Sequence, residues 1–483
     1  MSIDELIALI PIIMLASVTV VVMLAAALYR NHRFIAALTL CGLLLSMLVL
    51  PIASEMAPMQ VTPLIIIDGY ANFFMWILLL TGIMVTILCY AYFEGHQESN
   101  EELYILLLTA LLGSEVLVAS NHFASFFLGL ETLSISLFAL IAYTVKKKSS
   151  LEAAVKYLVL SGVSSAVLLF GMALIYAKLG TLSFSEVGSQ LATQELDFWV
   201  MLGGGLLLAG LGFKLSLVPF HMWTSDVYEG APAPITAFVA TVSKGAIFAL
   251  MLRYFLASDG YAYQPLVAAL GIVAIASILV GNLLALLQDN VKRILAYSSI
   301  AHLGYLLIAF VAGAVIGSEM AIETITFYII AYFITTLGAF GVVSVLSSPN
   351  REFDHIDAYK GLFWRKPGLA TVFTAMLMSL AGIPLTVGFI GKFYLFAAGI
   401  HGALWLLVSM LVVGSGIGLY YYLRIVLYMT KAPEGESLPF APVSLQTRIG
   451  EATLALITAM LVWFGVYPTS LMDMIQAMAS NVS

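Results

Sequence analysis

The stretch LLLAGLGFKLSLVPFHMW, residues 206–223, begins as an apolar helical segment and then brings a lysine, a proline and a histidine. Lys214 has apolar residues for several positions on either side, so its ammonium group cannot easily reach water along such a helix. Pro219 lacks an N–H group and interrupts the helical hydrogen bonds around it. The stretch therefore predicts a broken helix that holds a charged group inside the protein.

The composition of the whole chain is that of a membrane protein. Of its 483 residues, 62% are hydrophobic and only 10% are charged, whereas soluble domains carry about 25% charged residues. Apolar segments of roughly 20 residues, the length that crosses a bilayer, recur throughout the chain. They predict an all-α polytopic membrane protein with about fourteen transmembrane helices. The predicted spans cover roughly residues 5–29, 34–52, 69–93, 103–120, 122–145, 151–177, 197–220, 234–257, 264–287, 294–316, 321–346, 368–397, 402–429 and 448–468.

The basic residues between the spans predict the orientation of the chain. Among the even-numbered connections only the sixth carries one, Lys178, whereas the odd-numbered connections carry many. Cytoplasmic connections are enriched in lysine and arginine, so we expect the odd-numbered connections in the cytoplasm and both termini on the opposite side. The basic residues of the odd-numbered connections are Arg30, Arg33, Lys146, Lys147, Lys148, Lys292, Arg293, Arg351, Lys360, Arg365, Lys366, Lys431 and Arg448.

Four charged residues lie near the middle of predicted spans, namely Glu131, Lys214, Lys244 and Lys392. An ionised group at mid-bilayer costs at least about 2.5–3.5 kcal/mol and normally faces a bundle interior or a water-filled cavity. Burial lowers the pKa of a lysine by up to about 3–5 units, which lets its ammonium group exchange protons near neutral pH. Three lysines and one carboxylate do not pair off. We therefore predict a proton relay, with static ion pairs between helices as the alternative.

Further ionisable residues lie close to the ends of spans. Lys156 lies about one turn inside its span, where it can either reach the membrane surface or join the relay. Arg253 and Arg424 lie near span ends, and we expect their long side chains to extend to the interface.

Histidines and one more carboxyl group complete the set of candidates. His302 is the strongest additional relay candidate, because imidazole exchanges protons near neutral pH. His221, close to Pro219, is equally well explained as a structural hydrogen-bonding residue. Glu115 has no evident partner in the sequence and receives no role.

A second interrupted span resembles the first. In SLAGIPLTVGFIGK, residues 379–392, the helix-breaking residues Gly382, Pro384 and Gly388 precede Lys392. The two breaks are five spans apart, and paired broken helices in matching positions are typical of inverted-repeat transporters. We therefore predict two inverted five-helix repeats, each with one broken helix. The predicted divisions are an N-terminal three-helix segment (1–102), a first repeat (103–257), a second repeat (264–429) and a C-terminal helix (448–483).

Long motifs at these positions resemble a known family. They are AAVKYLVLSGVSSAVLLFGMALIY (153–176), FKLSLVPFHMWTSDVYEGAPAPITAF (213–238), VKRILAYSSIAHLGY (291–305) and LAGIPLTVGFIGKFYLF (380–396). Over nearly its whole length the chain is similar to the antiporter-like membrane subunits of respiratory complex I (NADH:quinone oxidoreductase). These subunits are related to those of Mrp-type sodium/proton antiporters.

The resemblance implies a role for each buried charge. Glu131 and Lys214 would form the glutamate–lysine pair of a first half-channel. Lys244 would connect the two halves, and Lys392 would be the terminal residue of the second half-channel. Candidates for proton uptake from the cytoplasm or for auxiliary relay are Lys156, His221, Lys292 and His302.

The resemblance also implies partners. Lysine at position 392, where M-type subunits carry glutamate, and the end of the chain soon after the last span favour the N-type subunit. The sequence has no motif for a redox cofactor, so FMN, iron–sulfur clusters and quinone are expected in partner subunits. The direct neighbours of this chain would be other membrane-arm subunits, antiporter-like and small hydrophobic ones, in a bacterial inner membrane. An Mrp-type antiporter subunit and a membrane scaffold without net transport are the alternatives.

Overall fold

The computed structural model describes residues 2–94, 100–193, 197–348, 352–432 and 445–480. The N-terminal segment contains a short antiparallel hairpin between its second and third spans, with Met59 opposite Ile67. Its elements are α1 (Ile3–Ala8), α2 (Ile10–Leu28), α3 (His32–Leu48), α4 (Leu50–Ser54), β1 (Met59–Val61), β2 (Ile65–Ile67) and α5 (Gly69–Phe93).

The first predicted repeat contains the first helix break, between its fourth and fifth long segments. Its helices are α6 (Glu102–Val118), α7 (Phe123–Ile141), α8 (Lys148–Leu179), α9 (Phe184–Thr193), α10 (Phe198–Lys214), α11 (Met222–Gly230), α12 (Ala233–Phe238) and α13 (Lys244–Ala257). A π-helical turn, Val239–Ser243, joins α12 to α13.

The second predicted repeat contains the second break, between α18 and α19. The remaining helices are α14 (Gln264–Leu286), α15 (Val291–Ile316), α16 (Ser318–Leu346), α17 (Leu362–Arg365), α18 (Pro367–Ala381), α19 (Val387–His401), α20 (Trp405–Thr430), α21 (Leu445–Val466) and α22 (Thr469–Ala479). Short 3-10 turns lie at Gly260–Ala262 and Ile356–Tyr359.

The all-α polytopic class is confirmed. Within the described ranges, eleven helices are long and apolar enough to cross a membrane. The other three predicted spans fall on α6 and on the two interrupted helices, α10 and α18–α19. The domain boundaries and the inverted relation of the two repeats stay predictions.

The centre of the bundle is formed by three spans that are shielded from lipid. The share of buried residues is 100% for Ala233–Ala257, 94% for Ser318–Leu346 and 83% for Val291–Ile316, against 28% for Ile10–Leu28 at the periphery. These three spans carry Lys244 and His302, so the polar groups lie in the core of the protein and away from lipid.

The connections segregate onto two faces, as the predicted alternation of spans requires. Odd-numbered connections contact one another, for example through Arg33 and Glu94 at 2.8 Å and through Lys292 and Glu352 at 3.3 Å. Even-numbered connections also meet, through a β-bridge between His122 and Ser183.

One expectation about the span ends is wrong. Arg253 does not extend to the interface: it is 3% exposed and forms two hydrogen bonds, of 2.7 and 2.9 Å, with the carboxylate of Asp68. Its Nε also donates to the carbonyl oxygen of Val118. A desolvated guanidinium is tolerated here because a carboxylate and a carbonyl satisfy it.

Candidate functional site

The first break places Lys214 at the C-terminal end of α10. The chain then turns through Ser216, whose φ is +62°, and Pro219 lies in the interruption before α11, as predicted. The negative end of a helix dipole favours a cation at this position. The Lys214 side chain is buried, and its Nζ donates to Oγ of Ser134 at 2.8 Å and of Ser161 at 2.7 Å.

Glu131 does not contact Lys214 directly. Both residues lie in the described part of the chain, and no ion pair joins them there. An oxygen of Glu131 instead accepts a 2.5 Å hydrogen bond from Ser165, one helical turn beyond Ser161 on α8. Lys214 and Glu131 are thus held by two hydroxyls that lie one helical turn apart on α8, and their role as a pair stays a prediction.

Lys244 begins α13 immediately after the π-helical turn. Such turns are frequent at functional sites because they displace side chains from the regular helical positions. The side chain is 1% exposed, and its Nζ donates to Oγ of Ser299 at 2.7 Å. The Ser299 Oγ lies 2.6 Å from the hydroxyl of Tyr332, and the ring of Tyr228 lies 5.1 Å from Nζ.

His302 continues this set of polar contacts. Its Nδ1 lies 2.8 Å from the hydroxyl of Tyr328, and its Nε2 lies 3.3 Å from that of Tyr422. Its ring centroid lies 5.7 Å from that of Tyr332. His302 therefore lies beside the hydroxyl pair that contacts Lys244, and its relay role stays a prediction.

The second break holds Lys392. Its Nζ donates at 3.0 Å to the carbonyl oxygen of Ala381, the last residue of α18, and lies 5.2 Å from the ring centroid of Tyr305. Gly382 has a φ of +88°, and an added Cβ would lie 2.9 Å from Cδ of Lys392. Gly388 allows α19 to approach α18 closely, with its N–H bonded to Ser379.

A charged cluster lies near Lys156, on the face that carries the odd-numbered connections, here called the odd-connection face. This half-exposed lysine lies 2.7 Å from both Glu152 and Asp226. Arg293 bridges Asp226 and Glu229 at 2.9 and 2.7 Å. The arrangement suits collection of protons at an aqueous surface.

Lys292 occupies a separate, fully buried position at the same face. Its Nζ donates to the carbonyl oxygen of Ala231 at 2.6 Å and lies 3.3 Å from Glu352. Glu352 also accepts from Tyr92 and lies 3.8 Å from Lys147. The structure thus gives Lys292 a carboxylate partner. Lys214, Lys244 and Lys392 have none among the residues that the structure describes.

His221 lies in the first break and is 7% exposed. Its imidazole interacts with the backbone of Pro219, although the geometry is too loose for a regular hydrogen bond. Its structural and relay roles both stay predictions.

Several polar residues of this site escaped the sequence reasoning. Asp226 and Glu229 lie in HMWTSDVYEG, where they were treated as part of a connection. Their spacing of three residues, one face of a helix, was the available signal. Within the described ranges, no group of three or more His, Cys, Asp or Glu side chains is placed to hold a metal ion.

Comparison with known proteins identifies the family. Residues 120–418, more than half of the chain, match the family described as NADH:quinone oxidoreductase/Mrp antiporter, TM. The chain belongs to this family. It is 51% identical to the NADH-quinone oxidoreductase subunit N of Methylococcus capsulatus. The match extends over 474 residues, which are 98% of this chain and 95% of that protein.

Solved structures contain chains that are similar to this one. Respiratory complex I from Thermus thermophilus with bound aureothin contains a chain that is 32% identical, with a TM-score of 0.82 over 96% of this chain and 98% of that one. The Mrp complex from Dietzia sp. contains a chain that is 18% identical, with a TM-score of 0.86 over 99% and 97%. The second likeness shows a shared fold.

Proposed function

We propose that this chain is a proton-translocating, N-type membrane-arm subunit of an NADH:quinone oxidoreductase. The observation that carries the proposal is the nature of the groups that hold the central lysines. The ammonium groups of Lys214, Lys244 and Lys392 donate to serine hydroxyls or to a backbone carbonyl. Neutral acceptors leave a lysine free to release its proton, whereas a bound carboxylate would hold the charge in place.

The first half of the route runs from the odd-connection face to Lys214. Lys156 and its cluster would take up a proton from the cytoplasm, and internal water would carry it to Ser161, five residues along α8, whose hydroxyl contacts Lys214. Opposite charges attract without direct contact, by about 4 kcal/mol at 4 Å and an effective dielectric constant near 20, and by less in proportion to the distance. A movement of Glu131 would therefore change the proton affinity of Lys214 without a direct contact.

The second half of the route starts at Lys244. Ser299, Tyr332 and His302 offer hydroxyl and imidazole groups that can accept one proton while donating another. They lead towards Lys392 at the second break. Either a proton, or the charge shift that a proton causes, would pass through these groups.

Redox chemistry belongs to partner subunits in this proposal. FMN, iron–sulfur clusters and quinone would be bound elsewhere in the complex, and neighbouring antiporter-like and small hydrophobic subunits would flank this chain. The two predicted inverted repeats would provide the two half-channels. The complex would lie in a bacterial inner membrane, with both termini of this chain on the periplasmic side.

A sodium/proton antiporter subunit is the second candidate. The family description includes Mrp antiporters, and the fold of the Dietzia Mrp chain matches this one closely. A scaffold without transport is less well supported, because its buried lysines would need carboxylate partners for stability.

The test begins with gentle detergent extraction from native membranes. Flavin, iron–sulfur centres and NADH-driven quinone reduction in the purified assembly would support the oxidoreductase. A flavin-free assembly with sodium-dependent proton exchange would favour the antiporter. In the assembled oxidoreductase, Lys214→Ala and Lys392→Ala should lower the number of protons moved per NADH, and an unchanged number would support the scaffold.

A further inference from the structure

A cavity of about 610 Å³, lined by both polar and apolar residues, opens on the face that carries the even-numbered connections, the even-connection face. It lies between the C-terminal end of α13, the first turn of α16 and the end of α22. A single water needs only about 10–15 Å³ of such space, so the cavity holds several water molecules. Its polar lining includes Tyr70, Asn121, Arg253, Asp259, Tyr261 and Glu319.

The inner end of the cavity lies against α13, the helix that begins at Lys244. Arg253 and Asp68 close it with their paired hydrogen bonds, and the Tyr70 ring lies 4.8 Å from the guanidinium. The Tyr70 hydroxyl extends past this pair and donates to the carbonyl oxygen of Ala249 at 2.9 Å. Ala249 lies five residues from Lys244 on the central helix, an axial distance of about 7.5 Å.

We propose that this cavity is the hydrated vestibule through which protons leave on the even-connection face, and that the Asp68–Arg253 pair closes it. The inference rests on the proposed proton translocation and adds a release branch at the level of Lys244. Lys392 then carries the charge shift onward through the second half.

The charges at the mouth favour water and protons over a lipid headgroup. Asp259 and Glu319 are exposed there, and their negative potential attracts hydrated cations and repels phosphate. The guanidinium that could bind a phosphate is already occupied by Asp68. Within the described ranges the buried hydroxyl of Tyr261 has no protein partner, and an ordered water at the cavity wall would satisfy it.

The test uses a matched pair of cysteine variants in the intact complex. Ser318→Cys places a thiol on the exposed rim of the cavity, and Ser185→Cys places one on exposed α9 at the same face, outside the cavity. Spheroplasts are treated with a polyethylene-glycol maleimide, which cannot cross the membrane and whose attachment is read as a gel shift of this subunit. Membranes from the same cells are then inverted, and the protons taken up per NADH are compared with and without labelling.

We expect both thiols to be labelled from outside. Labelling at 318 should lower the protons moved per NADH to the value of the Lys244→Ala complex, and labelling at 185 should leave it unchanged. A Ser318→Cys thiol that resists labelling, or labels without any loss, would overturn the vestibule. If Lys244→Ala itself moves as many protons as the wild type, translocation by this chain fails as well, so the two failures are distinguishable.

Discussion

The ammonium nitrogen of Lys244 lies 2.7 Å from Oγ of Ser299, and that oxygen lies 2.6 Å from the hydroxyl of Tyr332. A single serine thus joins the central lysine to the aromatic hydroxyls around His302. A hydroxyl in this position can accept a proton on one side and donate on the other. The continuity of the chain of contacts between the two halves depends on this side chain.

Removal of the Ser299 hydroxyl should therefore slow proton transfer. A hydrogen bond to a charged group is worth about 1.5–3 kcal/mol, and each 1.36 kcal/mol changes a rate about tenfold. We expect Ser299→Ala to lower the rate of NADH-driven proton uptake in inverted vesicles by about tenfold or more, with the complex still assembled. The matched control is Ser46→Ala, because Ser46 is equally buried but donates only to the carbonyl oxygen of Gly42. Equal rates in the two variants would contradict the relay role of Ser299.

Gly382 is expected to be intolerant of any side chain. Its φ of +88° costs an L-residue about 1–2 kcal/mol, and a Cβ would press on the stem of Lys392 at 2.9 Å. We expect Gly382→Ala to lower the thermal midpoint of the subunit and to lower proton uptake, because it moves the Lys392 ammonium from the Ala381 carbonyl. In Gly368→Ala, in the first turn of α18, the added Cβ meets open space. We therefore expect this variant to stabilise the folded protein by up to about 1 kcal/mol. A normal proton yield in Gly382→Ala would show that the position of Lys392 is less constrained than its contacts indicate.

The buried pair of Asp68 and Arg253 should be sensitive to loss of one partner. Breaking a buried ion pair typically costs about 3–5 kcal/mol, because the remaining charge stays desolvated. We expect Asp68→Leu to reduce strongly the amount of this subunit retained in the purified complex. The double variant Asp68→Leu/Arg253→Met should recover much of the loss, since it removes both charges together. A double variant as unstable as the single one would assign the defect to the other contacts of Asp68, among them the hydrogen bond that it accepts from the N–H of Ala71 at the start of α5.

The sequence predicted the parts of this structure that depend on composition along one segment. Apolar lengths located the spans, and glycine and proline located both breaks. The buried lysines stood out because an ammonium group in an apolar helix is rare. In each case the residues that indicate the feature lie within one segment of the sequence.

The pairings between distant segments were not predictable in this way. Asp68 follows an apolar strand and reads as part of a connection, while its partner Arg253 lies 185 positions later. The same limit applies to Glu131 and Lys214, whose separate serine partners could not be read from the sequence. Which hydroxyl stands between two charges depends on side-chain rotamers, and these follow from packing across helices that the local pattern does not encode.

Glu115 provides a test of which buried acids serve the relay. It is 0% exposed on α6, and within the described part of the chain neither carboxyl oxygen has a hydrogen-bond partner. Glu131, by contrast, is held by Ser165 on the helix that contacts Lys214. A buried polar group without a partner destabilises a protein by about 1–3 kcal/mol. We therefore expect Glu115→Leu to raise the thermal midpoint of the purified complex and Glu115→Gln to leave proton uptake unchanged.

The same glutamine substitution at Glu131 is the matched comparison. It removes the negative charge that acts on Lys214, so proton uptake should fall while the amount of assembled complex stays the same. The two carboxyl groups differ in that Glu131 is bonded to α8, the helix that contacts Lys214, whereas Glu115 is not. A loss of proton uptake in Glu115→Gln as large as in Glu131→Gln would contradict this division. It would mean that protons also reach α6, by a path that this arrangement of side chains does not contain.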